Sequence, residues 1–152
     1  MKLIKLSNGL VTVVDDDDFD KFGNMNWTWN GRYVYKKINH KENLYLHRAI
    51  MKTPSDLQTD HKNGDPLDNR KENLRICTVS QNQANRPAPA NNTSGFKGVY
   101  FRKNRKKFCA RITVNQKIIT IGCFDTALDA AKAYEKYAQK IFGEFSQTNI
   151  GG

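Results

Sequence analysis

Between residues 97 and 123 apolar and polar side chains alternate, and this pattern restricts the fold more than any other stretch of the chain. Strict alternation belongs to strands with one buried face. Three runs carry it, 97–102, 107–114 and 117–123, with Asn104-Arg105 and Asn115-Gln116 at the turns. Val99, Phe101, Phe108, Ala110, Ile112, Ile119 and Ile121 fall on one face. Tyr100, Arg102, Cys109, Arg111, Thr113, Ile118 and Thr120 fall on the other. The period then lengthens. Ala130, Ala131, Tyr134, Tyr137, Ala138 and Ile141 recur at helical spacing, Thr126 with Asp129 can cap the start, and Gly143 ends the run. This helix is expected to cover the apolar sheet face and leave the opposite face to meet a partner. Eight basic residues and no acidic ones lie from Lys97 to Lys117, so that partner should be anionic.

Upstream, residues 87–95 are rich in Pro, Asn and Ser and can neither sustain a helix nor pair as a central strand. They read as a flexible linker that divides the chain into 1–86 and 96–152, two small α+β modules. The formal charge of +10 is unevenly spread, with 14 Lys/Arg against 11 Asp/Glu in 1–88 and 11 against 4 in 89–152. Binding and chemistry are thus expected on different modules. Cys77, Cys109 and Cys123 form no C-x-x-C pair, so no zinc ribbon is readable, and reduced thiols packed as small core residues are expected. No apolar run approaches the ~18 residues of a membrane span, and no signal-peptide pattern is present.

The first module opens with a hairpin over 2–14, turned by Ser7-Asn8-Gly9. The acidic run 15–18 is expected to be a solvated loop or helix start, followed by a short helix or turn to Phe22. Trp27 and Trp29, then Tyr33 and Tyr35, flank Asn30-Gly31 in a second hairpin, where a core or sheet-face role is expected. Residues 43–46 read as a strand and 47–51 as a short helix. His40 is expected at the surface and His47 packed and hydrogen-bonded.

The chemistry-bearing residues lie in 60–86. Asp60-His61 ends an apolar lead-in; a turn-rich loop, a brief strand (74–77) and an amide-bearing helix opener come after it. That order resembles the HNH nucleases, which implies phosphodiester cleavage, a reaction that needs an activated water and positive charge at the leaving oxygen. A histidine near its ordinary pKa can take a proton from water at neutral pH. A hard cation such as Mg2+ prefers oxygen ligands and uses only one or two protein groups. Asp60 and the amide oxygen of Asn82 would satisfy it; Asn85, three residues on, lies on the same helix face as an alternative.

In order, Asp60-His61, Asp68-Asn69-Arg70, Asn73-Leu74-Arg75 and Asn82 resemble the HNH nucleases, as does Leu46-His47-Arg48 upstream. The resemblance implies a ββα-metal unit in which Asp60 and Asn82 hold one Mg2+ (or Mn2+), His61 is the general base and Asn73 braces the loop that aims it. The family's last motif position is often histidine, whereas asparagine stands here.

The second module resembles the Apetala2/ethylene-response-factor DNA-binding domain through the residues at 94–99, 121–126 and 130–134 and the closing Asn149. That resemblance implies a three-stranded antiparallel sheet on one helix, reading duplex DNA with Tyr100, Arg102, Arg111, Thr113, Ile118 and Thr120, and Lys97 beside them. Plant members often place arginine or tryptophan where Tyr100, Asn104, Ile118 and Thr120 stand here, so no plant target sequence transfers. Together the two resemblances imply a site-directed endonuclease of homing type, phage- or mobile-element-borne and cytoplasmic in its host. It is expected to be a monomer on double-stranded DNA with no membrane partner and no small-molecule cofactor. The competing expectation is a DNA-binding regulator whose nuclease unit is inert.

Overall fold

The structure, a computed structural model, describes residues 1–146 and Asn149. It is mixed α+β and divides into two compact units, Met1–Thr78 and Val79–Gly152. The segment 87–95, expected as a linker, lies inside the second. Among the described residues no helix is long and apolar enough to cross a membrane.

The first unit begins with β1 (Lys2–Lys5) and β2 (Val11–Val14), an antiparallel hairpin in the expected place. Gly9, and not Asn8, takes the positive φ of its turn (87°). Helix α1 (Asp16–Phe22) is next in the chain, and the acidic run is its first turn. One of these carboxylates is not solvated: Asp18 is 2% exposed and meets Lys71 Nζ at 3.0 Å. Strands β3 (Thr28–Trp29), β4 (Val34–Lys37) and β5 (Asn43–Tyr45) form a three-stranded antiparallel sheet in that order. Helix α2 (Leu46–Met51) comes directly after β5, and β6 (Gln58–His61) pairs antiparallel with β7 (Leu74–Cys77). Ile4, Leu6, Val14, Trp27, Val34, Leu46, Ile50 and Leu74 make the core. Trp27 is fully buried, and its indole N–H donates to the Phe22 carbonyl (2.9 Å), which satisfies the one polar atom it takes into that core.

The second unit opens with α3 (Val79–Asn85), so the division falls before this helix. Packing and hydrogen bonds tie α3 to the rest of its unit, among them the Asn115 N–H donating to Ser80 Oγ at 2.9 Å. Ala84 packs into the core there. Lys97 Nζ donates to the Gln83 (2.8 Å), Ala84 (2.5 Å) and Arg86 carbonyls, satisfying C-terminal oxygens a helix leaves unpaired. The late part of the expected linker is also tied down, by Asn92 Oδ1 accepting from the Ser94 and Gly95 N–H groups and Asn92 Nδ2 donating to the Phe96 carbonyl.

Strands β8 (Val99–Arg102), β9 (Lys107–Val114) and β10 (Lys117–Phe124) form the antiparallel sheet, with β9 in the middle. Helix α4 (Ala127–Phe142) covers it. Thr126 Oγ1 accepts from the Asp129 N–H (3.1 Å) and donates to the Asp129 carboxylate (2.6 Å), so Thr126 caps the helix as expected. Gly143 is the C-cap. Gly98 explains how tightly helix and sheet meet. With φ at 74°, an added Cβ would stand 2.2 Å from the Tyr134 ring.

Three expectations are corrected here. The buried stripe of α4 ends on Phe142 (7% exposed) while Ile141 stays 38% exposed, and Phe101 is 46% exposed although its neighbour Val99 is buried. Cys109 and Cys123 are not reduced thiols but a disulfide. A bulge in β10 is the cause. The register shifts between Thr120 and Gly122, which brings Cys123 opposite Cys109.

Candidate functional site

Strand pairing sets the first part of the site. In the β6–β7 register Asp60 faces Arg75 and His61 faces Leu74. Arg75 Nε and Nη2 each reach Asp60 Oδ2 at 2.9 Å. Both residues are nearly buried, at 6% and 9% exposed, so this is a desolvated ion pair whose members depend on each other. The sequence offered no sign of it, because the partners meet only across the ladder.

His61, one residue on, points the other way along the strand. Its Nε2 lies 3.3 Å from Asn69 Oδ1, and its ring centroid is 5.3 Å from that of His47 on α2. His47 in turn stacks on Tyr33 (4.9 Å) and leans on Tyr45. His47 is packed as expected; among the described residues, however, its ring has aromatic neighbours and no hydrogen-bond partner. Burial, with the charges of His61 and Arg48 nearby, pushes His47 down to about 3. Burial also lowers His61, opposed by the Asn69 hydrogen bond and the Asp60, Asp65 and Asp68 carboxylates. Both rings are therefore neutral near pH 7, and a neutral imidazole has one nitrogen able to take a proton. Arg48, the last residue of the Leu-His-Arg phrase, is used structurally. Its guanidinium clasps the Leu57 and Pro54 carbonyls at 2.8 Å each.

The loop between β6 and β7 is held from three sides. Asn73 spans its base, donating from Nδ2 to the Asp68 carbonyl (2.8 Å) and accepting at Oδ1 from the Asn63 N–H (3.1 Å). Asp68 takes Arg70 Nε (2.8 Å) and Nη2 (2.7 Å), and these contacts hold its carboxyl below the usual range. The third side is β2. The Val13 N–H donates to the Leu67 carbonyl (2.9 Å), the Asn69 N–H donates to the Val13 carbonyl (2.8 Å), and Thr12 reaches Leu67 and Asn69. Sequence reading singled out Asn73 and quoted Asn69 only as part of a turn. It had no signal for Thr12. The remaining expected site residue, Asn82, lies on α3 in the second unit, three residues before Asn85.

The second unit displays its candidates. On the sheet face away from α4, Arg111 and Thr113 on β9 and Ile118 and Thr120 on β10 are exposed. The Arg111 guanidinium lies over the Tyr100 ring at 4.9 Å, a cation–π contact that stiffens a long side chain, and Arg102 Nε donates to Asn104 Oδ1 (3.1 Å). Lys97 does not join them. Its ammonium is turned onto the α3 carbonyls, and burial brings it down to about 8.

Comparison with known proteins matches both segments to families. Residues 45–84 match the HNH endonuclease family and residues 94–144 match the AP2 domain. An uncharacterised HNH endonuclease of Acanthamoeba polyphaga mimivirus is 34% identical over 113 residues, covering 70% of this chain and 57% of that protein. Protein 3.8 of Escherichia phage T7 is 34% identical over 94 residues, covering 62% of this chain and 77% of that protein. The chain thus spans little more than half the length of the mimivirus relative. No solved structure matches it.

Proposed function

We infer the function from family: this chain belongs to the HNH endonucleases and carries an AP2 domain behind its HNH segment, and we propose that it cuts duplex DNA at sites its AP2 sheet selects. The observation that carries this reading is His61, a buried imidazole held neutral beside Asp60, at the end of β6 where a loop braced by Asn73 begins. In the proposed reaction His61 takes the proton of a water whose oxygen bonds to phosphorus. The bond from phosphorus to the 3′ oxygen breaks, leaving a 5′-phosphate and a 3′-hydroxyl. Asn73 keeps the loop, and with it His61, in place.

Among the described residues no group of three or more His, Cys, Asp or Glu side chains gathers to hold an ion. The donors read from the sequence suit a hard cation nonetheless, since the Asp60 carboxylate and the Asn82 amide both offer oxygen. Such an ion, Mg2+ or Mn2+, would supply positive charge where the leaving oxygen becomes negative. The exposed sheet face, with Tyr100, Arg102, Arg111, Thr113, Ile118 and Thr120, is proposed to lie in the major groove, which admits strands as it admits a helix. A site-directed, homing-type role and action as a monomer belong to the same proposal.

One observation favours the second reading, a DNA-binding regulator with an inert nuclease segment: Asp60 is already engaged by Arg75. Incubation of the full chain with supercoiled plasmid, with and without Mg2+ or Mn2+, decides. Metal-dependent nicking supports the endonuclease. Binding without nicking in either metal supports the regulator.

A further inference from the structure

The N-terminal hairpin reaches the proposed base through a chain of buried hydrogen bonds. Thr12, fully buried on β2, donates from Oγ1 to the Leu67 carbonyl (2.7 Å). Its hydroxyl hydrogen is spent there, so toward Asn69 it can only accept, and Asn69 Nδ2 donates to it at 2.8 Å. The second amide hydrogen of Asn69 goes to the Pro66 carbonyl (3.1 Å). Asn69 is itself fully buried, and its backbone N–H is anchored on Val13. With both amide hydrogens committed, the oxygen of the amide must be the atom that faces His61 Nε2 at 3.3 Å. An amide oxygen has no hydrogen to give, so Nε2 must be the donor.

We propose that Thr12 and Asn69 are positioning residues that hold neutral His61 in its Nε2–H form, leaving Nδ1 as the nitrogen that receives the proton from water. The role of Nδ1 in turnover rests on the endonuclease reading, while the tautomer does not. Turning the amide over would set its oxygen against the Pro66 carbonyl and leave that carbonyl and Thr12 Oγ1 without a donor. Each loss is costly in a buried site. The relay explains why a residue outside the HNH match of 45–84 is completely buried against this loop.

The test uses the full chain labelled with 15N-histidine, observed at mildly alkaline pH, where histidine is neutral. The ring nitrogens of His61 should read as protonated Nε2 and bare Nδ1. A dominant Nδ1–H form in the unaltered protein overturns the proposal, and this measurement requires no variant to fold. Thr12→Val keeps the shape and removes the hydroxyl. It should admit a resolved population of the other tautomer and slow plasmid nicking about tenfold, and Thr12→Ser should restore both. Asn69→Leu should slow nicking about 100-fold or more, in line with losses when a catalytic histidine is held in the wrong tautomer. Ring signals and nicking both unchanged in Thr12→Val also overturn it. If instead His61 shows the Nε2–H form but the unaltered protein never nicks, the endonuclease reading fails and the tautomer assignment stands.

Discussion

The two units treat their polar residues in opposite ways. In the first, Asp60, His61, Asn69, Asn73 and Arg75 are all at or below 9% exposed. In the second, Arg111, Thr113 and Thr120 stand in solvent, and even Ile118 is 64% exposed. A group taken out of water must find each partner inside the protein, so residues far apart in sequence become essential to one another. A group left in water bonds to solvent until a ligand replaces it, and its loss disturbs little else. The first unit should therefore respond to substitution with large coupled losses, and the second with small separate ones.

The largest effect should come from the proposed base. His61→Ala is expected to lower plasmid nicking about 10³-fold, within the usual range for general-base removal, while DNA affinity by fluorescence anisotropy stays unchanged. Normal cutting by this variant would falsify the catalytic assignment. Next comes Arg75→Ala, which takes the guanidinium away from buried Asp60 and should cost about 3–5 kcal/mol in urea unfolding. Arg111→Ala, by contrast, should stay within about 0.5 kcal/mol of the parent. An equal loss in the two variants would erase the distinction between the units.

Acid should probe the same contrast less severely. His47 sits at about 3 in the fold against an ordinary 6.5, and His61 is also lowered. Between those values the unfolded chain binds more protons than the folded one. Stability is thus complete above about pH 6.5 and declines as pH falls toward 3, by up to about 1.4 kcal/mol per unit for His47. Urea midpoints at about pH 7 and pH 5 measure the slope, and His47→Phe, which keeps an aromatic ring on Tyr33, should flatten it. Smallest are the surface arginines taken singly. Arg102→Ala and Arg111→Ala should each weaken DNA binding by about 1–3 kcal/mol if they reach bases, or reduce the salt dependence by about one counterion if they reach phosphate. Lys97→Met should leave the salt dependence alone and lower stability instead, since its ammonium serves α3.

What could be read in advance was what repeats locally. Alternation along 97–123 and the stripe on α4 predicted the sheet of the second unit and its cover, and the brief apolar run 74–77 predicted β7. The missed features all depend on where distant segments meet. Arg75 pairs with Asp60 only because β6 and β7 align at that register. Cys123 reaches Cys109 only because one residue bulges from β10, and no period in the sequence announces an inserted residue. Lys97 counted as one more cation in a basic stretch until α3 lay against it. Thr12 and Asn69 are 57 residues apart, and nothing local to either marks the bond between them.

The hairpin that carries Thr12 also bears on portability. A fragment trimmed to the family's 45–84 window would keep Asp60, His61, Asn69 and Asn73 yet lose the strand whose backbone pairs with Leu67 and Asn69. Grafted onto another DNA-binding module, that fragment would carry the whole signature and a histidine free to turn. A transplant that cuts has to bring β1 and β2 with it.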